Sequence, residues 1–178
     1  VVGMALQMGF VYSALLTFFT SLTLRNFYRA MVPAQLVAFS TSSSAATLSV
    51  TMRTTHEKLG VSKEVAAFVL PLGATINMDG TALYQAVAAV FIAQTLGMDL
   101  DLSAQMTIVF MALLASIGTA AVPSAGVVML VIILEAIGIP IAGIALILGV
   151  DRILDMCRTT LNVTGDAVVA SIVSANEN

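Results

Sequence analysis

Charged residues fall in clusters along this chain, and the gaps between clusters are long enough to cross a lipid bilayer. Residues 1–24 carry no charged side chain, nor do residues 30–52 or 102–134. A membrane-crossing helix needs about 20 mainly apolar residues. Composition agrees: 59% of the 178 residues are hydrophobic and 10% are charged, against roughly 25% charged in a soluble domain. Mean hydropathy is +1.03. These values exclude a soluble enzyme domain and a disordered tail. Seven basic and ten acidic residues give a net charge of −3, which leaves no basic footprint for nucleic acid. The single cysteine, Cys157, excludes an internal disulfide and a cysteine-based metal cluster. No catalytic constellation is visible, so the chain is not expected to be an enzyme or to hold a cofactor. The opening apolar run has no Met and no basic stretch before it. It is therefore not a signal peptide, and the chain is expected to be the interior of a longer one.

The runs suggest an all-α integral membrane plan. Residues 1–24 are predicted as one transmembrane helix. Residues 30–52 centre on Ser40-Thr41-Ser42-Ser43-Ser44, poor material for a lipid-facing helix. Arg25 and Arg29 precede this run, and Arg53, Lys58 and Lys63 follow it. Basic flanks stay in the cytoplasm, so a segment with both flanks basic has entered and returned. The reading is a re-entrant helical hairpin, each arm about half the ~20 residues of a crossing. Residues 65–98 form a helix interrupted at Asn77-Met78-Asp79-Gly80. Such breaks persist in membranes only against protein or a cavity.

Asp99 and Asp101 mark an external loop, and Glu135 gives the next run the same acidic flank. Residues 102–134 centre on Gly118, Pro123 and Gly126, a helix-breaking tip. This predicts a second re-entrant hairpin, entering from the opposite face. Residues 141–175 are the last helix, and the tail ends at Asn178. Hairpin plus helix, twice and with opposite entry, is the logic of an inverted repeat, which places substrate and ion sites between broken helices near the midplane.

On the last helix Asp151, Asp155, Arg158, Asn162 and Asp166 are spaced 4, 3, 4 and 4. At 100° per residue they share one face, about 80° wide. A charge at mid-bilayer costs roughly 2.5–3.5 kcal/mol on insertion scales. A structural ion-pair ladder would be one reason to bear that cost. The ladder is unbalanced, however: three carboxylates oppose one guanidinium, and Asp79 adds a fourth acid. Sodium ions or protons would neutralise the excess.

Several motifs resemble the glutamate/aspartate transporter family of sodium-coupled dicarboxylate amino-acid symporters. They are Ser42-Ser43-Ser44, Asn77-Met78-Asp79-Gly80-Thr81 within residues 71–81, and Ser116-Ile117-Gly118-Thr119. Val122-Pro123-Ser124-Ala125-Gly126 and the run from Asp155 to Asp166 complete the set. The match is to the transport elements of the C-terminal half, with the N-terminal scaffold absent. The resemblance implies that Arg158 grips the substrate's side-chain carboxylate, as its planar fork suits two oxygens at once. It implies Asp155 and Thr159 at the α-ammonium, Asn162 and the Ser44 N–H at the α-carboxylate, and Thr81 at the side-chain carboxylate. Ser42 and Val122 would offer carbonyls, and Gly126 would let the second tip close.

The same resemblance implies sodium ligands. Asp166 with the carbonyls of Gly73, Asn77 and Asn162 would form one site. Thr75 with Ser116, Ile117 and Thr119 would form a second, and Asp79 with Asn77 part of a third. Two departures stand out: family members often carry a further Arg at the position of Ser42 or Met156, and Gly where this chain has Ser124. Neutral amino-acid members lose the arginine kept here as Arg158. The implied function is symport of sodium with L-aspartate or L-glutamate in the cell membrane, as a homotrimer through the scaffold. A C4-dicarboxylate symporter is the alternative, and a channel or non-transporting membrane module is the alternative of another class.

Overall fold

A computed structural model describes residues 1–177; Asn178, the end of the tail, lies outside them. Among the described residues every regular element is helical. Helix α1 spans Val2–Phe19, and its middle, Gln7–Tyr12, has π register. Thr20 ends it at φ −139°, and Thr23 caps the next helix by accepting the Asn26 N–H at 3.4 Å.

Helices α2 (Leu24–Thr41) and α3 (Ser44–Leu59) pack against each other more extensively than any other pair. Two residues join them. Ser42 is left-handed at φ 51°, and Ser43 is extended. Ser43 then caps α3, its hydroxyl accepting the Ala46 N–H at 3.1 Å. A serine at this position satisfies one of the helix's orphan donors, so the Ser-rich stretch is where the chain reverses. Gly60, at φ 73°, ends α3 as a residue without Cβ can.

Helix α4 (Lys63–Ile76) is followed at once by α5 (Asp79–Thr95), with Asn77 and Met78 out of helical geometry between them. Helix α6 (Leu102–Ile117), capped by Asp101, leads through residues 118–124 into α7 (Ala125–Ala136). A 3-10 turn, Ile141–Ile144, opens α8 (Ala145–Asn176). This longest helix packs against α1, α2, α3, α4 and α5. Its polar stripe faces them: Asp151, Asp155, Arg158, Asn162 and Asp166 are all buried.

The helices outrun the charge-free stretches in some places and stop short in others. The first helix ends at Phe19, not residue 24. Around the run 30–52, expected as a re-entrant hairpin, the two helices span 24–41 and 44–59, arms of 18 and 16 residues. These arms are about 27 and 24 Å long at 1.5 Å per residue, well above half a crossing. Arg25, Arg29, Arg53 and Lys58 therefore lie on helices. A charge marks where a helix can meet water, not where its hydrogen bonds end. Both tips and the break fall where Ser, Gly and Pro placed them. α1 and the continuous pair Lys63–Thr95 are apolar and long enough to cross a membrane.

Candidate functional site

The break between α4 and α5 leaves the first N–H groups of α5 without a partner in their own helix. Helix α8 satisfies one of them. Asn162 accepts the Gly80 N–H at 2.8 Å through Oδ1 and donates through Nδ2 to the Thr81 hydroxyl at 3.1 Å. The approach is close: a Cβ on Gly80 would lie 2.6 Å from the Arg158 carbonyl and 2.9 Å from Asn162 Oδ1. Glycine here lets α5 rest directly on α8.

Arg158 is 2% exposed. Its Nε donates to Asp155 Oδ1 at 2.9 Å. Its guanidinium carbon sits 4.4 Å from the centre of the Tyr84 ring, a cation–π distance. The Tyr84 hydroxyl in turn donates to Asp151 at 2.8 Å. Nη1 and Nη2 are buried and have no hydrogen-bond partner among the described residues. Leaving such donors unpaired is costly, more so for a charged group. They line a small cavity with Ser42, Ser44, Thr81, Thr119, Val122, Gly126, Asp155, Thr159 and Asn162. The substrate residues expected from the sequence thus meet in one place, built from both tips, α5 and α8. The cavity is about 20 Å³, room for about one water, so anything larger needs one of the tips to move.

The tips touch each other. Ser43 donates from its hydroxyl to the Ala121 carbonyl at 2.8 Å, and the Ala45 N–H reaches the same oxygen at 3.4 Å. Asp155 holds the second tip through the Ser124 N–H at 2.7 Å. This residue was expected at an ammonium; here both its oxygens already accept bonds. Gln85, fully buried, donates to the Gly126 carbonyl at 3.2 Å. A Cβ on Gly126 would run into the Arg158 guanidinium, 2.7 Å from its carbon.

The candidate sodium ligands separate into two groups. Asn77 donates to Asp166 Oδ1 at 2.9 Å, and a Cβ on Gly73 would stand 2.6 Å from that oxygen. Asp79 is close by, its Oδ2 accepting from Tyr12 at 2.7 Å and Gln7 at 3.3 Å. Oδ1 of Asp79 is buried and has no hydrogen-bond partner among the described residues. By contrast, Thr75 and Ile117 are exposed. The hydroxyls of Thr75 and Ser116 bond to Leu72 and Leu113 of their own helices, and that of Thr119, just past α6, bonds back to Ala115. No side-chain hydrogen bond among the described residues joins Thr75 to Ser116 or Thr119.

Four contributors went unforeseen. Gln85 was legible as a polar residue inside an apolar run, and Tyr84 precedes it. Gln7 and Tyr12 were not, because five residues along an α-helix are about 140° apart.

The chain matches the sodium:dicarboxylate symporter family over residues 1–176. It belongs to that family. An excitatory amino acid transporter of Caenorhabditis elegans is 52% identical over 147 residues, 83% of this chain and 29% of the relative. Human excitatory amino acid transporter 2 is 51% identical over 148 residues, 83% of this chain and 26% of its own length. Human excitatory amino acid transporter 5 is 47% identical over 174 residues, 98% of this chain and 31% of its own. The chain spans less than a third of the length of these symporter-family relatives.

Proposed function

We propose that this chain forms the substrate- and ion-binding part of a membrane symporter that couples sodium entry to uptake of an acidic amino acid, L-aspartate or L-glutamate. The observation that carries the reading is Arg158: a buried guanidinium with both Nη groups unpartnered, turned into a cavity between two helical tips. A carboxylate accepting both Nη groups repays that burial as no neutral ligand would. Membership of a sodium:dicarboxylate symporter family and likeness to excitatory amino acid transporters support the same chemistry.

In this reading α2–α3 and α6–α7 are re-entrant hairpins from opposite faces, and hairpin plus helix is an inverted repeat. Thr81 helps hold the side-chain carboxylate, and Asn162 and the Ser44 N–H hold the α-carboxylate. Asp155 and Thr159 face the ammonium, with carbonyls from Ser42 and Val122. Gly126 gives the second tip its close approach. Sodium enters as cargo at Asp166, Gly73, Asn77 and Asn162, and at Asp79 with Asn77. Thr75, Ser116, Ile117 and Thr119 make up a further sodium site of this reading, one that needs a rearrangement of the second tip from its present seat. The protein lies in the plasma membrane as a multi-pass protein and forms a trimer through a scaffold outside this chain.

A C4-dicarboxylate symporter is the second reading. Asp155 favours it, because both its oxygens already accept protein donors. Carboxylate oxygens have spare lone pairs, so an ammonium can still be added.

Labelled L-aspartate uptake by the full-length protein in liposomes tests both, under a sodium or a proton gradient with succinate as competitor. Sodium-driven accumulation that succinate leaves intact is expected. Proton-driven uptake that succinate blocks would move the assignment to the dicarboxylate reading and remove Asp155 from the ammonium.

A further inference from the structure

The π segment of α1 has a geometric effect on the ion site. In an α-helix Gln7 and Tyr12 would point about 140° apart. In π register the i→i+5 bond stacks residues five apart on one face. Both side chains consequently reach the same atom, Asp79 Oδ2. Two further features keep this register. The hydroxyl of Tyr28 on α2 donates to the Met8 carbonyl inside the π segment. Gly165 on α8 makes room for the phenol: a Cβ there would stand 2.5 Å from the Tyr12 oxygen.

We infer that Tyr12, seconded by Gln7, is a positioning residue for the cation step at Asp79. The inference rests on the sodium-coupled reading above. With Oδ2 held by two donors, the carboxylate plane is fixed, and the buried Oδ1, which has no hydrogen-bond partner among the described residues, is the oxygen left to meet a cation. Neither α1 residue touches the substrate cavity. Their influence therefore falls on ion binding, with the amino acid affected only through the ion.

The test is a sodium titration of the thermal unfolding of the purified full-length protein, for wild type, Tyr12→Phe and Gln7→Leu. Phenylalanine keeps the ring beside Gly165 and removes only the hydroxyl. The sodium concentration for half-maximal stabilisation is expected to rise about three- to tenfold in Tyr12→Phe, and less in Gln7→Leu, whose bond is longer. Aspartate affinity at saturating sodium should match wild type. An unchanged or lowered half-saturation in Tyr12→Phe would overturn the inference. So would a melting temperature lowered equally with and without sodium, which would mark Tyr12 as packing alone. A wild-type protein indifferent to sodium would overturn the coupled reading and this inference together.

Discussion

Arg158 is the costliest side chain here to bury, and its surroundings repay only part of the cost. Asp155 takes Nε and Tyr84 takes one face, while both Nη groups stay open. Arg158→Lys keeps the charge and loses the fork, so aspartate affinity measured in sodium should fall at least about tenfold. Arg158→Ala should abolish saturable binding. It also strands Asp155, which costs about 3–5 kcal/mol of stability, so folding has to be checked by size-exclusion profile. Gly126→Ala should weaken aspartate binding by pressing on the guanidinium. Gln85 and Tyr84 show what sequence withholds at this scale. Spacing along the last helix singled out Arg158, but not Tyr84 and Gln85, which contact its guanidinium and the second tip. Tyr84 and Gln85 lie three and four positions beyond Thr81 on α5, so they were within reach of helical arithmetic. Tyr12 was not, because nothing in composition announces a π turn.

Helix ends and breaks set where the site can be. The break at Asn77 and Met78 was legible because a carboxylate between Asn and Gly cannot sit in a regular apolar span at no cost. Helices α2 and α3 outrun the charge-free run because a basic residue does not end a helix: helical hydrogen bonding carries on through Arg29 and Arg53. Two glycines allow a contrast between neighbouring elements. Gly80→Ala directs a methyl at the Arg158 backbone carbonyl, which cannot rotate away. Helices α5 and α8 must then separate, and stability should fall by about 1–3 kcal/mol, read as a lower melting temperature in detergent. Gly73→Ala meets the Asp166 carboxylate instead, a group that can turn. Its expected signature is a weakened response to sodium with a smaller loss of stability.

Across the whole molecule, polar and apolar surfaces are arranged inside out. Asp151, Asp155, Arg158, Asp166 and a row of threonines from Thr47 to Thr55 are buried. Phe10, Phe18, Phe68, Leu102, Val128 and Ile153 are each at least 60% exposed. A soluble monomer rarely exposes apolar patches beyond a few hundred Å². The full-length protein should stay in the membrane pellet through an alkaline carbonate wash and leave it only with detergent. Recovery in the wash supernatant would contradict the membrane plan.

The Ala121 carbonyl has a mechanical consequence. Ser43 and Ala45 of one tip both bond to that single oxygen of the other. Displacing either tip breaks the same two bonds, so this clasp is indifferent to direction. It resists parting without choosing which lip lifts. Asp155 and Gln85 fasten the second tip alone, at Ser124 and Gly126. The difference in hold between the first tip and the second therefore resides in those two side chains. Any cargo that draws Asp155 toward itself loosens one lip and leaves the other seated.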